Sequence, residues 1–325
     1  MSEGLLKRKR QILHRRIAEA LCDRFPARAD AKAEMVAQHF TRAGLSGLAM
    51  EWWSKAGEMA LRRVACHEAV SHLSKAIELM DELGEGSGRN LQRLRLHIAY
   101  AKAVMLAHSY NAPEVSAAFA RAHELAQGVE GAFERYIACY GLWMGAWIRG
   151  ELRLMEKLAA AFLADVSSRS GTPEAFVAQW LAGMTCWSRG GFTAARTHLE
   201  RACQLRDPER NRELARHFDV APGVGALTYL ALTLWPPGET EQAERLFGEA
   251  LALAKSCDDE KIFGYVVLHR SIVKGMRGLL HTDGRDAEAR IVLASVLAAF
   301  VDTPTLPDIA EARRLLAALS QTVLS

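Results

Sequence analysis

Three tryptophans set the terms on which this chain can fold. Trp147-Ile-Arg-Gly150, Trp187-Ser-Arg-Gly190 and Trp235-Pro-Pro-Gly238 repeat one Trp-x-x-Gly tetrapeptide. Each tryptophan ends an apolar helical stretch, and each glycine can adopt the left-handed backbone that stops a helix. Pro236-Pro237 enforces its stop a second way, because proline disfavours a helical residue before it. Seven residues ahead of the tryptophans stand Tyr140, Trp180 and Thr228, and three ahead stand Met144, Met184 and Leu232. Offsets of three, four and seven lie on one side of a helix. Three successive first helices therefore carry the same stripe, as a stacked array of helical hairpins does. The expected fold class is all-α, a right-handed α-α superhelix of hairpins.

The second helix of each hairpin has its own signature, a small residue followed at regular helical offsets by apolar ones. The best copy runs from Gly190-Gly-Phe192 through Ala195, Leu199, Ala202 and Leu205. Gly44 leads to Ala49, Trp53, Ala56 and Met59; Gly238 leads to Ala243, Phe247, Ala250 and Leu253; Gly284 leads to Ala289, Leu293, Val296 and Ala299. Gly150 leads to Met155, Ala159 and Phe162, and weaker copies hold Ala69, Leu73, Ala76, Leu79 and Val115, Phe119, Ala122, Leu125. A small side chain lets two helices approach, and a larger one a turn later fills the groove beside it. The anchors Ala69, Val115, Met155, Ala195, Ala243 and Ala289 are 46, 40, 40, 48 and 46 residues apart. Segments 84–88, 127–131 and 167–173 read as loops between hairpins, and 206–216 as a charged link that holds a short helix.

The array divides into three parts by this reading. Residues 1–43 form an N-terminal basic helix and a lead-in helix, 44–299 the repeats, and 300–325 a capping helix. The basic helix spans Leu5 to Phe25 and is ended by Pro26; its opening holds Lys7, Arg8, Lys9, Arg10, Arg15 and Arg16 against Glu3 alone. That reads as a solvated face rather than a nucleic-acid or membrane patch. The cap spans Asp308 to Leu324, opening at an N-cap aspartate after Pro304 and Pro307.

Composition excludes several classes. Apolar residues are 50% of 325, aromatics 7% and the net charge only +3, so there is a continuous core and no global drive toward nucleic acid. No alternating β-branched run marks a strand. Six cysteines stand without a C-x-x-C pair, which suits a reduced, cytoplasmic setting with the thiols as small hydrophobes. No apolar h-region marks a signal peptide, and the longest apolar run, Ile291 to Val301, is too short to cross a bilayer. The chain carries no phosphate-binding G-x-x-x-x-G-K-[ST] and no G-x-S-x-G elbow. His67-Glu68 with His72 imitates a zinc helix, but its histidines are five apart instead of the four that share a face. These residues, with His97, His108 and His123, read as solvated helix faces, and Asp258-Asp259-Glu260 as a helix start. The expectation is no catalytic residue, no metal site and no cofactor.

The Gly-x-[Tyr/Phe]-x-x-Ala-x-x-x-[Phe/Leu]-x-x-Ala pattern of Gly190 to Ala202 resembles the tetratricopeptide repeat, although that repeat runs at about 34 residues and these units are longer. A narrower resemblance covers most of the chain. Leu13-His-Arg-Arg-Ile-Ala-Glu-Ala-Leu21, Arg24-Phe25-Pro26, His39-Phe-Thr-Arg-Ala-Gly44 and Trp53-Ser-Lys-Ala-Gly57 are similar to one family's repeat region. So are Tyr140-Gly-Leu-Trp143, the stretch Arg196 to Ala202 with Asp207-Pro208, and the end from Gly284 to Leu319. That family joins a class III adenylate/guanylate cyclase domain, an AAA-type (STAND-like) ATPase and a C-terminal tetratricopeptide region. The resemblance weakens between Leu253 and Gly284, and the family's Gly-Phe turn is Thr303-Pro304 here. It implies a repeat region standing alone, a relative without the cyclase and ATPase modules.

In tetratricopeptide arrays the first helices line a concave side that binds peptides. The resemblance then implies that Tyr140, Met144, Trp147, Trp180, Met184, Trp187, Leu232 and Trp235 line such a groove, for an apolar or helical segment of a protein or peptide partner. Core packing of the same stripe is the competing account. The functional expectation is a non-enzymatic interaction scaffold. The alternatives are a regulatory fragment of a cyclase/ATPase system whose nucleotide chemistry resides in another chain, or a remnant of an ATPase-type transcription regulator. The last needs a helix-turn-helix, and none is read.

Overall fold

The computed structural model describes residues 2–84, 87–109, 111–129, 133–167, 172–207, 221–236, 238–257 and 260–276. The Gly284 copy, the capping helix, the link beyond residue 207 and the Asp258-Asp259 pair lie outside them. The described residues are helical, with no strand among them. They form two compact units, Met1–Leu142 and Trp143–Ser325.

The first unit opens with α1 (Ser2–Arg24), α2 (Pro26–Ala31), α3 (Ala33–Ala43), α4 (Ser46–Arg62) and α5 (Cys66–Glu82). It continues with α6 (Asn90–Ala107), α7 (Pro113–Ala126) and the first part of α8 (Glu134–Arg149). Pro26 and Pro113 each sit in the first turn of their helix, where the missing N–H is no loss. Helix α1 buries a narrow apolar face near its C-terminal end. Leu6, Ile12 and Leu13 are exposed, and α1 is seated through fully buried Ala18 with Leu21 and Cys22 against the core of α3 to α5.

The second unit holds the end of α8, then α9 (Leu152–Val166), α10 (Pro173–Ser188), α11 (Phe192–Gln204), α12 (Pro222–Leu234), α13 (Thr240–Ser256) and α14 (Glu260–Met276). Every residue of α12 is buried. Its sequence has no charged residue, and a helix apolar on all sides belongs inside. The hydroxyls of Thr228 and Thr233 donate to the carbonyls one turn back, at 2.8 and 2.7 Å, so their burial leaves no unsatisfied group.

One turn recurs between helices. At Gly44, Gly150, Gly190 and Gly238 the backbone is left-handed, with φ between 71 and 90°. Each glycine N–H bonds the carbonyl three residues back, and the next N–H bonds five back, as in Gly190 to Trp187 and Gly191 to Cys186, both at 2.9 Å. The paired bonds satisfy carbonyls that a helix end leaves open. The turn between α4 and α5 makes the same bonds around Val64, at φ 58°.

Helix pairs interlock through glycine notches. A Cβ on Gly57 would stand 2.5 Å from Leu73, and one on Gly183 would stand 2.5 Å from Leu199. In both cases sixteen residues separate the pair, so the notch repeats with the hairpin. The structure gives α4 two partners: Trp53 bonds the Thr41 hydroxyl of α3 at 3.0 Å, while Gly57 receives Leu73 of α5.

Candidate functional site

Of the eight stripe residues, five are buried: Tyr140 at 3%, Met144 at 7%, Trp180 at 1%, Met184 at 2% and Leu232 at 9% exposure. Trp147, Trp187 and Trp235, at the ends of α8, α10 and α12, are half-buried. Tyr140 belongs to the first unit and the other seven to the second.

Trp180 has a structural seat. Its ring lies against the bare backbone of Gly225 on α12, where a Cβ would approach to 2.7 Å. Trp147 and Trp187 have a different setting. Both meet the buried ring of Tyr229 nearly perpendicular, at centroid distances of 6.5 and 5.1 Å. Trp147 also lies parallel to Trp143 at 6.4 Å, and the Trp143 indole N–H donates to the Thr185 hydroxyl at 2.9 Å. Beyond Tyr229 the ring of His269 follows at 5.8 Å and that of Tyr265 at 4.3 Å from His269. Edge-to-face rings at these separations attract through their quadrupoles. The Trp187 indole N–H is buried and has no hydrogen-bond partner.

Paired charges stand beside these helix ends. Arg149, two residues past Trp147, grips the Glu151 carboxylate with two nitrogens at 2.8 and 3.0 Å, and that hydrogen bond holds the Glu151 carboxyl below its ordinary range. Arg189, two past Trp187, pairs with Glu156. The surface thus offers half-buried indole faces, framed by neutralised charge. Such groups bind apolar and amide surfaces, and they supply no nucleophile.

Trp143, Tyr229, Tyr265 and His269 were not among the stripe residues. Tyr229 falls one residue off the register of Leu232 and Trp235. The usable signal is the lack of charge along α12, which makes any aromatic there central.

The histidines divide. His67 and His108 are exposed as expected, but His72 is 7% exposed, packed 5.2 Å from the Trp53 ring. His97 is half-buried, and burial lowers its pKa to about 4. Both correct the reading of solvated faces, because His72 shares a helix face with Ala69, Ala76 and Leu79 and His97 with Leu94, Ala101 and Val104, all buried. Among the described residues, no three of His, Cys, Asp or Glu gather closely enough to hold a metal. All six cysteines are free, and burial raises the thiols of Cys22, Cys186 and Cys203, the last to about 11. No described helix is long and apolar enough to cross a membrane.

No family model and no curated protein sequence matches the chain. Solved structures do. The apo form of RapI is similar with TM-score 0.54 at 13% identity, over 89% of this chain and 80% of that one. The apo quorum sensor NprR from B. thuringiensis matches with TM-score 0.55 at 12% identity, over 98% and 89%. NprR in complex with its cognate peptide NprX matches with TM-score 0.50 at 11% identity, over 97% and 88%. At these identities the likeness is one of fold. The chain has the all-α, helical-hairpin solenoid fold of tetratricopeptide-like proteins.

Proposed function

We propose that this chain is a non-catalytic, tetratricopeptide-like scaffold that captures a peptide or a helical segment of a protein partner at the tryptophan-bearing ends of α8, α10 and α12. The observation that carries this reading is the repetition of a half-buried tryptophan at all three ends while the rest of the stripe is buried. A packing-only role would favour full burial, as at Trp180. Tryptophan is among the residues enriched at the energetic centres of protein interfaces. The complex of similarly folded NprR with a peptide supports the class of partner.

Panning a random peptide library against the full chain tests the reading. Trp147→Ala with Trp187→Ala should weaken enriched peptides by about thirtyfold or more, since an anchor tryptophan contributes roughly 2 kcal/mol or more. The far-ultraviolet circular dichroism should stay helical. Loss of helicity instead assigns the pair to packing and removes the groove.

The finer reading places this scaffold in a cytoplasmic cyclase/ATPase signalling system, with the nucleotide chemistry on another chain. It is supported by the segments Leu13 to Leu21 and Trp53 to Gly57. Equilibrium dialysis should find no tight ATP or GTP binding to this chain, and such binding would overturn the non-catalytic assignment.

A further inference from the structure

The first unit contains a cleft of about 300 Å³ between the α2–α3 junction and the α4–α5 hairpin. It exists because the backbone breaks helix at Lys32, φ −124° and ψ 43°, which sets α2 aside from α3. On the cleft wall lies His72, with its side chain 9% exposed. Its Nδ1 is buried with no hydrogen-bond partner. Its Nε2 stands 3.8 Å from the Glu34 carboxylate, beyond hydrogen-bond reach. Nδ1 is enclosed by protein, whereas Nε2 is not and makes no hydrogen bond of its own, so Nε2 is the ring atom that a ligand in the cleft reaches.

The rim selects the ligand. Lys32 and Arg63 supply two positive charges, and Glu34 and Glu68 two negative ones. Arg63 and Glu68 approach only to 3.8 Å, while Glu34 is already held by the Gln38 amide at 3.0 Å. A ligand of one sign meets as much repulsion as attraction at such a rim. A molecule carrying a carboxylate and an ammonium group meets complementary charge at both. Met35 and Met59 supply an adaptable apolar wall, and the volume suits a small molecule.

We infer that this cleft is a binding site for a free zwitterionic α-amino acid with an aliphatic side chain, hydrogen-bonded by His72 and charge-matched by Lys32, Arg63, Glu34 and Glu68. The site lies in the first unit and does not depend on the tryptophan groove.

Isothermal titration of the full chain with L-leucine tests it. Binding is expected with Kd of about 1 mM or tighter. Isocaproate, which lacks the ammonium, and isoamylamine, which lacks the carboxylate, should each bind about tenfold weaker or worse. His72→Phe keeps a ring against Trp53 and should lose binding by a similar factor. The exposed pair Lys32→Ala and Arg63→Ala, which leaves the core intact, should do the same. No heat at about 10 mM leucine overturns the proposal. So does equal affinity for either half-charged analogue, or unchanged affinity in the Lys32/Arg63 variant.

Discussion

The α4–α5 hairpin of the first unit and the α10–α11 hairpin of the second share one frame. Ala69 and Ala195 are both fully buried, and Gly57 and Gly183 both admit a leucine from the partner helix. Both turns close with the same pair of backbone bonds. What surrounds the frame differs. Beside the first notch, Trp53 bonds a threonine hydroxyl and lies against an imidazole. On the second hairpin, Trp180 fills a gap over bare glycine and Trp187 meets the ring of Tyr229 at right angles. The small–large pair and the turn hold a hairpin together. The flanking positions are left to be polar or aromatic, and there the two units diverge.

The frame is tested first at its leucines, where the largest effects are expected. Leu73→Ala and Leu199→Ala each remove a fully buried side chain and should each cost about 2–5 kcal/mol in urea unfolding. The two costs should agree within roughly 1 kcal/mol, because each residue sits in one notch and a repeat transmits stability mainly to its neighbours. A gap of several kcal/mol would show that the notches are not equivalent.

The glycines come next. Alanine in a helix interior is favoured over glycine by about 1 kcal/mol, so Gly248, whose added Cβ meets nothing within 4 Å, should gain stability on becoming alanine. Gly57→Ala and Gly183→Ala should lose about 1–2 kcal/mol net, because the obstructing atom is the branch carbon of an immobile leucine and overpacking outweighs propensity. Thermal melts of the three variants read the sign directly. Stabilisation at either notch would mean the helices have room to part.

Much of this frame is legible in the chain's letters. The Trp-x-x-Gly echo places three of the turns, and the spacing from Gly190 puts Ala195 and Leu199 on the packed face, but nothing in that spacing points to Gly183 as the notch that receives Leu199. The site is less legible, because its character depends on neighbours distant in sequence. His72 shares its helix face with Ala69, Ala76 and Leu79, so its burial follows from spacing, but its neighbours Trp53 and Glu34 come from two other helices. Tyr229 is invisible to an offset counted from Trp235, yet both Trp147 and Trp187 converge on it. The stripe's division into buried and half-buried residues also escapes periodicity, since offsets specify a face and not its depth.

Acid should separate the units. In the first unit His39, His72 and His97 all have pKa values lowered, by burial above all, whereas among the described residues of the second only His198 shows a histidine shift. For His97 the folded value is about 4, against an ordinary 6.5. Its contribution is whole above pH 6.5, where both states are neutral, and shrinks as pH falls toward 4, because the unfolded chain takes the proton first. Discounted for partial exposure, the loss is about 1 kcal/mol, or roughly 2–4 °C in Tm. His97→Gln should flatten the Tm profile between those pH values by that amount. Amide exchange at low pH should open the first unit ahead of the second, and the reverse order would remove the contrast.

The smallest effect tests the turns themselves. Val64 occupies the place that glycine holds in the second hairpin, at φ 58° against 76° for Gly190. A β-branched residue there is strained by about 1–2 kcal/mol, and glycine gives back roughly 0.5–1 kcal/mol in unfolded-state entropy. The Val64 side chain is 71% exposed, so removing it sacrifices little apolar burial. Val64→Gly should therefore stabilise the chain by about 0.5–1 kcal/mol, and Gly190→Val should destabilise it by about 1–2 kcal/mol. The two substitutions exchange one residue between equivalent turns, so their effects must have opposite signs if the turns share one geometry in solution. If both destabilise, Val64 is held by contacts that the second hairpin lacks, and the equivalence of the two frames ends at their turns.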